Sequence, residues 1–197
     1  ARDQIRIVDT LNDDRGDGIE QISFDDGTVW TIATVRQTLL AQAAGPESDL
    51  ITGFVVADTL AGGLGDDVLS GKDSSDTYVF NRGDGADVVR EQGSYDTDVV
   101  RIAGYLPGEV RLSSDNLDLI IEFTGTTDRI RIVNTLNDDW VDGIEQIAFD
   151  NGTVWTMADV RQALLTSAAR AESDTIAGFV TADTLAGGLG DDVLSGR

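Results

Sequence analysis

The sequence predicts an all-β-dominated fold: a solenoid of very short strands joined to a β-rich cap with one short α-helix, the whole unit tandemly repeated. Three observations predict it. Aspartate and an apolar residue recur at fixed places in runs of nine residues between 44 and 101. Residues 1–72 return without gaps as 126–197, at roughly three-quarters identity, the mark of a tandem duplication. Between these copies the pattern changes to longer alternating stretches such as "DLIIEF" and "RIRIV".

The nine-residue pattern has aspartate at the sixth place and an apolar residue at the eighth. "AGPESDLIT" (44–52) is followed by "GFVVADTLA" (53–61), "GGLGDDVLS" (62–70) and "GKDSSDTYV" (71–79). After two-residue insertions come "RGDGADVVR" (82–90) and "GSYDTDVVR" (93–101). The eighth place reads Ile51, Leu60, Leu69, Tyr78, Val89 and Val100. One apolar residue in nine is too sparse for a helix and suits a short strand with one inward side chain. Glycines supply the positive φ of the turns, and stacked strands bury a narrow aliphatic core. Stacked turns bring aspartates of successive coils together, with backbone carbonyls beside them. Such an oxygen-only cage suits Ca²⁺.

Composition agrees. The formal net charge is -22, with 36 acidic and 14 basic residues, which opposes compaction unless cations are bound. Nucleic acid and anionic membrane surfaces are poor partners for this charge. Cysteine and histidine are absent, which removes disulfides, thiolate and imidazole metal sites and Cys or His catalysis. Hard oxygen-ligand chemistry remains. No apolar run reaches membrane-spanning length, so no membrane insertion by these residues is expected. Paired carboxylates recur with structural periodicity, unlike a catalytic pair in one cleft, so the chain is expected not to be an enzyme.

"GGLGDDVLS" fits the known nonapeptide G-G-x-G-x-D-x-U-x, and the chain resembles the RTX (haemolysin-type calcium-binding) repeat proteins. "TDRIRIVNTLNDDWVDGIEQIAFDNGTVWTMADVRQALL" resembles their haemolysin-type calcium-binding-related domain. The resemblance implies a parallel β-roll over 44–101 and a β-rich cap with helix over 102–168. A partial cap would occupy 1–43 and the truncated start of a next roll 169–197, with a longer natural array expected. It also implies calcium held between turns two nonapeptides apart. One turn gives the carbonyls of its second and fourth places, the other those of its first and third, and each gives its aspartate.

Carried onto this sequence, one site combines Gly63, Gly65 and Asp67 with Arg82, Asp84 and Asp87. A second joins Phe54, Val56 and Asp58 to Gly71, Asp73 and Asp76, and a third joins Gly45, Glu47 and Asp49 to Gly62, Leu64 and Asp67. A fourth uses Lys72, Ser74 and Asp76 with Gly93, Tyr95 and Asp98. In the second copy, Arg170, Glu172 and Asp174 face Gly187, Leu189 and Asp192. "GFVVAD" and "GKDSSD" lack two glycines each and are expected to have distorted turns, and the insertions near Phe80 and Glu91 threaten the register.

In the cap, "DLIIEFTGTTDRIRIVNTL" reads as two strands around a Gly-Thr-Thr turn, and "IEQIAFDNGTVW" as a hairpin with a type I′ turn at Asn151-Gly152. Thr156 and Asp159 form a capping-box start for a helix whose apolar face is Val160, Leu164 and Leu165. Trp30 and Trp155 read as packing residues, and "NDDRGDGIE" (12–20) as a polar loop. The expected function is a calcium-binding module of a secreted bacterial repeat protein. By the resemblance it is exported by type I secretion and folds on calcium outside the cell, as a structural scaffold. The alternatives are an adhesin repeat that binds a carbohydrate or cell surface, and an accessory module of a larger toxin or enzyme. Its expected partners are calcium ions and neighbouring repeats, with head-to-tail self-association open to the cut ends.

Overall fold

The computed structural model describes residue 11 and residues 18–93, 96–137, 143–170 and 172–196. Tyr95 and residues 12–17 of the polar loop lie outside them. Strands β1 (Gln21–Ser23) and β2 (Val29–Thr31) form a hairpin that leads into helix α1 (Ile32–Ala43). Then come β3 (Leu50–Thr52), β4 (Thr59–Ala61), β5 (Val68–Ser70), β6 (Thr77–Asn81), β7 (Ala86–Val89) and β8 (Val99–Ala103). They are followed by β9 (Val110–Asp115), β10 (Asp118–Phe123), β11 (Arg129–Ile132), β12 (Gln146–Phe149) and β13 (Val154–Thr156). Helix α2 (Met157–Ala168) and the short strands β14 (Thr175–Ala177) and β15 (Val193–Ser195) end the described fold.

Odd and even strands of the nine-residue region go to different sheets. One sheet runs β3-β5-β7-β11-β10-β9 and the other β13-β12-β8-β6-β4. Pairing is parallel from β3 through β11 in the first sheet and from β4 through β12 in the second. The added hairpin strands β9, β10 and β13 pair antiparallel. The sheets are therefore mixed, where the repeat alone predicts parallel pairing. The cause is local: β9 and β10 are joined by Asn116 and Leu117 alone, a loop too short for a parallel crossover.

Register follows the eighth place. Ile51, Leu69, Val89 and Ile132 stand opposite one another in one sheet, and Leu60, Tyr78, Val100 and Ile147 in the other. All eight are buried and join one apolar cluster. The insertions leave this register intact. The first lengthens β6, so that Phe80 and Asn81 pair with Ile102 and Ala103, and the second, Glu91-Gln92, lies between strands.

The helices close strand ends. Leu40 of α1 is buried, and Gln37 Nε2 donates to the Thr59 carbonyl at 3.0 Å. Gln162 of α2 repeats this on the Thr184 carbonyl at 3.1 Å. Thr156 and Asp159 form the expected capping box, and Val160 and Leu165 are buried. Trp155 packs edge-on against Phe149, with ring centroids 4.7 Å apart. Trp30 packs edge-on against Phe24, with ring centroids 5.0 Å apart, yet is 43% exposed, and among the described residues β1 pairs only with β2. The turn at Asn151-Gly152 is also corrected. Only Gly152 has positive φ, at 86°, and its N–H donates to the Phe149 carbonyl at 2.9 Å. That is a type I turn closed by a left-handed glycine.

Candidate metal centre

Each sixth-place aspartate sits where a turn enters a strand, and the parallel register places equivalent aspartates one above another. The backbone N–H of Asp49 donates to Asp67 Oδ1 at 2.7 Å, and that of Asp67 to Asp87 Oδ1 at 3.0 Å. On the other sheet, the N–H of Asp58 donates to Asp76 Oδ1, and that of Asp76 to Asp98 Oδ1, both at 2.7 Å. Two ladders of carboxylates result. Stacking is thus fixed by Oδ1 of Asp67, Asp76, Asp87 and Asp98, which leaves their second oxygen for the turn, whereas Oδ2 of Asp49 and Asp58 accepts the N–H of Gly45 and Phe54.

Those second oxygens carry the chemistry. Oδ2 of Asp67, Asp76, Asp87 and Asp98 is buried with no protein hydrogen-bond partner among the described residues. Burial of an unpaired carboxylate is costly and favours its protonated form. It pushes Asp76 and Asp87 up to about 7 and Asp98 to about 8, and raises Asp58 and Asp67 as well. The charged groups that push Asp98 further are Glu91, Asp96 and Glu145, all acidic. A hard cation is the complement that such oxygens fit.

The turn backbones add carbonyls. A Cβ on Gly63 would lie 2.5 Å from the Gly45 carbonyl oxygen, and one on Gly65 2.5 Å from that of Glu47. These two carbonyls of the 44–49 turn therefore face the 62–67 turn, beside Asp49 and Asp67. Gly62 lies directly under the Asp67 carboxylate, whereas the Leu64 side chain is exposed. The Gly65 carbonyl in turn faces Gly85. Asp84 offers less: its carbonyl accepts the Gly65 N–H at 2.8 Å, and its carboxylate accepts the Asn81 N–H at 2.7 Å. Arg82 turns its side chain away, over the Tyr105 ring and to Glu109 at 2.8 Å.

On the second ladder, the Gly71 carbonyl faces Gly53 and the Lys72 carbonyl faces Gly93, with Asp73 alongside. Lys72 and Ser74 adopt φ of 85° and 81°, so "GKDSSD" keeps the left-handed turn geometry without glycines. Phe54 and Val56 do not, and the Phe54 N–H instead donates to Asp58 Oδ2 at 2.5 Å. That closes one oxygen of the predicted 53–58 site. In the second copy, the Asp174 N–H donates to Asp192 Oδ1 at 3.0 Å, and Gly187 lies under the Asp192 carboxylate. The Glu172 carbonyl faces Gly190, and the Arg170 carbonyl accepts the Leu189 N–H at 3.2 Å.

The haemolysin-type calcium binding protein related domain matches residues 1–34 and 118–159. These two segments, under half of the chain, are similar to that calcium-binding-related domain. A search of curated proteins finds no match. The matched 118–159 segment of the calcium-binding-related domain contributes β10 through β13, and its β11 and β12 extend both sheets. Its Glu145 also ends the second ladder, accepting the Asp98 N–H at 2.6 Å through Oε2. On the first ladder Ile130 stands opposite Asp87 instead.

Two acidic residues of this centre escape the nine-residue pattern. Glu145 lies 47 residues beyond Asp98, outside the nine-residue runs. Glu91 belongs to the second insertion, yet one oxygen each of Asp76, Glu91 and Asp98 lie within 4.8 Å of one another. The one available sequence signal was that Tyr78 alone puts a polar atom at the eighth place.

Proposed function

We propose that the chain is a non-enzymatic calcium-binding module whose two parallel strand stacks form a β-roll, folding when Ca²⁺ enters between the turns. The observation that carries this reading is the set of four buried, partnerless aspartate oxygens on stacked turns. The calcium-binding-related domain supports the choice of ion. Asp49, Asp58, Asp67, Asp76, Asp87 and Asp98 would hold the ions, together with turn carbonyls such as those of Gly45 and Glu47. The ion's charge would replace the carboxylate repulsion that opposes stacking.

The linkage is direct. An ion at about 100 times its dissociation constant stabilises the folded state by about 2.7 kcal/mol per site. Several sites acting together would make the fold conditional on calcium. In a secreted protein that would keep the chain unfolded in the low-calcium cytoplasm, suited to a type I export route. Outside the cell it would act as a scaffold. No helix among the described residues is long and apolar enough to cross a membrane.

Far-UV circular dichroism during a calcium titration, with magnesium as control, tests this. A cooperative coil-to-β transition with calcium alone is expected. Full β structure in excess chelator would overturn calcium-driven folding.

A further inference from the structure

Among the described residues, Asp76, Glu91 and Asp98 are the one group of three carboxylates that bring oxygens together this closely. Asp76 and Asp98 are 0% and 1% exposed, and Oδ2 of each has no protein partner among the described residues. Glu91 comes from the Glu91-Gln92 insertion, outside both ladders, so no second site shares it.

Its carboxylate is held from several sides. Oε1 accepts the N–H groups of Gln92 at 2.7 Å and Gly93 at 3.0 Å. Oε2 accepts the hydroxyl of Tyr78, whose oxygen accepts the Gly71 N–H at 2.6 Å. Tyr78 is itself 1% exposed and locked in the core. A buried tyrosine at an otherwise aliphatic place thus reaches out of the core to fix a third acid against two unpaired ones.

We propose that Glu91 is a metal ligand, and that Asp76, Glu91 and Asp98 form the tightest cation site of the chain, filled before the two-aspartate sites. Tyr78 is the positioning residue that aims Glu91. The proposal rests on the calcium reading above. Affinity of an oxygen site rises with its carboxylate count and its rigidity, and this site exceeds the others in both. The insertion is then the device that makes one inter-turn site unlike the rest.

The test is calcium binding to the full chain by isothermal titration calorimetry, with terbium luminescence excited through tyrosine as a second probe. Wild type is expected to show one tight ion ahead of the weaker sites. Glu91→Gln keeps size and the acceptor for Tyr78 but removes the charge. It is expected to weaken the tight class at least about tenfold and leave the weaker classes unchanged. Asp67→Asn, on the other ladder, is expected to leave the tight class intact. Tyr78→Phe is expected to weaken it less than Glu91→Gln.

Calcium binding by wild type with a superimposable Glu91→Gln isotherm would overturn the proposal and leave the calcium reading standing. No calcium binding by wild type would overturn both. If Glu91→Gln does not reach the wild-type circular dichroism at saturating calcium, Tyr78→Phe decides. A weakened tight class supports the site, and an unchanged one overturns it.

Discussion

The backbone N–H of Asp76 donates to Asp98 Oδ1 at 2.7 Å, while Asp98 Oδ2 stays buried without a protein partner among the described residues. One side chain therefore serves two purposes. Its first oxygen sets the stacking distance of two coils, and its second faces the turn as a free acceptor. Replacing the carboxylate by an amide separates the two, because the amide oxygen still accepts the N–H while the charge is gone.

That separation gives the first prediction. Asp67→Asn is expected to keep its bond from Asp49 and to raise the calcium midpoint of folding, since Asp67 lies between two stacked turns. Asp66→Asn is the control: Asp66 is exposed, and its Oδ1 accepts the Ala86 N–H at 2.9 Å. Calcium titration followed by circular dichroism should shift for the first variant and not for the second. Superimposable curves would count against Asp67 as a ligand.

The pH dependence in chelator follows from the raised aspartates. Their ordinary value is 3.8, and in the fold Asp76 and Asp87 lie at about 7 and Asp98 at about 8. Between these limits the folded chain holds more protons than the unfolded one, so stability falls as pH rises through the window. In chelator, far-UV circular dichroism is expected to show more residual β structure at pH 5 than at pH 8, with the difference reduced in Asp98→Asn. Calcium, which needs the ionised oxygens, should add more β structure at pH 8 than at pH 5. Residual β structure in chelator that grows with pH would contradict the burial of these groups.

Gly65 and Gly152 separate backbone strain from collision. Both have positive φ, 125° and 86°, but only at Gly65 would a Cβ meet a neighbouring turn, 2.5 Å from the Glu47 carbonyl oxygen. Gly65→Ala is expected to cost roughly 1–3 kcal/mol or more, and Gly152→Ala less than that. Denaturant unfolding in saturating calcium measures both; equal losses would mean the turns are not packed as described.

Lys72 makes the opposite case. A lysine at φ 85° carries the penalty of the left-handed region. Lys72→Gly is expected to stabilise the calcium-loaded fold by up to about 1 kcal/mol, seen as a higher denaturant midpoint. A loss of stability would show that the lysine side chain contributes more than its backbone costs.

The sequence by itself determined the coil length, the inward column from Ile51 to Val100 and the sixth-place aspartates. Each depends on short-range chemistry: a period, a turn residue, an alternation. It also announced the Thr156–Asp159 cap, which needs only a three-residue spacing. Tertiary structure decided what depends on which coil lies above which. The register across the insertions, the approach of Glu91 to Asp76 and Asp98, and the seat of Glu145 on the second ladder all join residues far apart in the chain. The antiparallel direction of the cap hairpins was legible in their short loops, but the structure decided that β11 and β12 join the two parallel stacks. A period specifies what every coil shares. The residues that interrupt it acquire their meaning only when the coils are stacked, because only then do unlike neighbours meet.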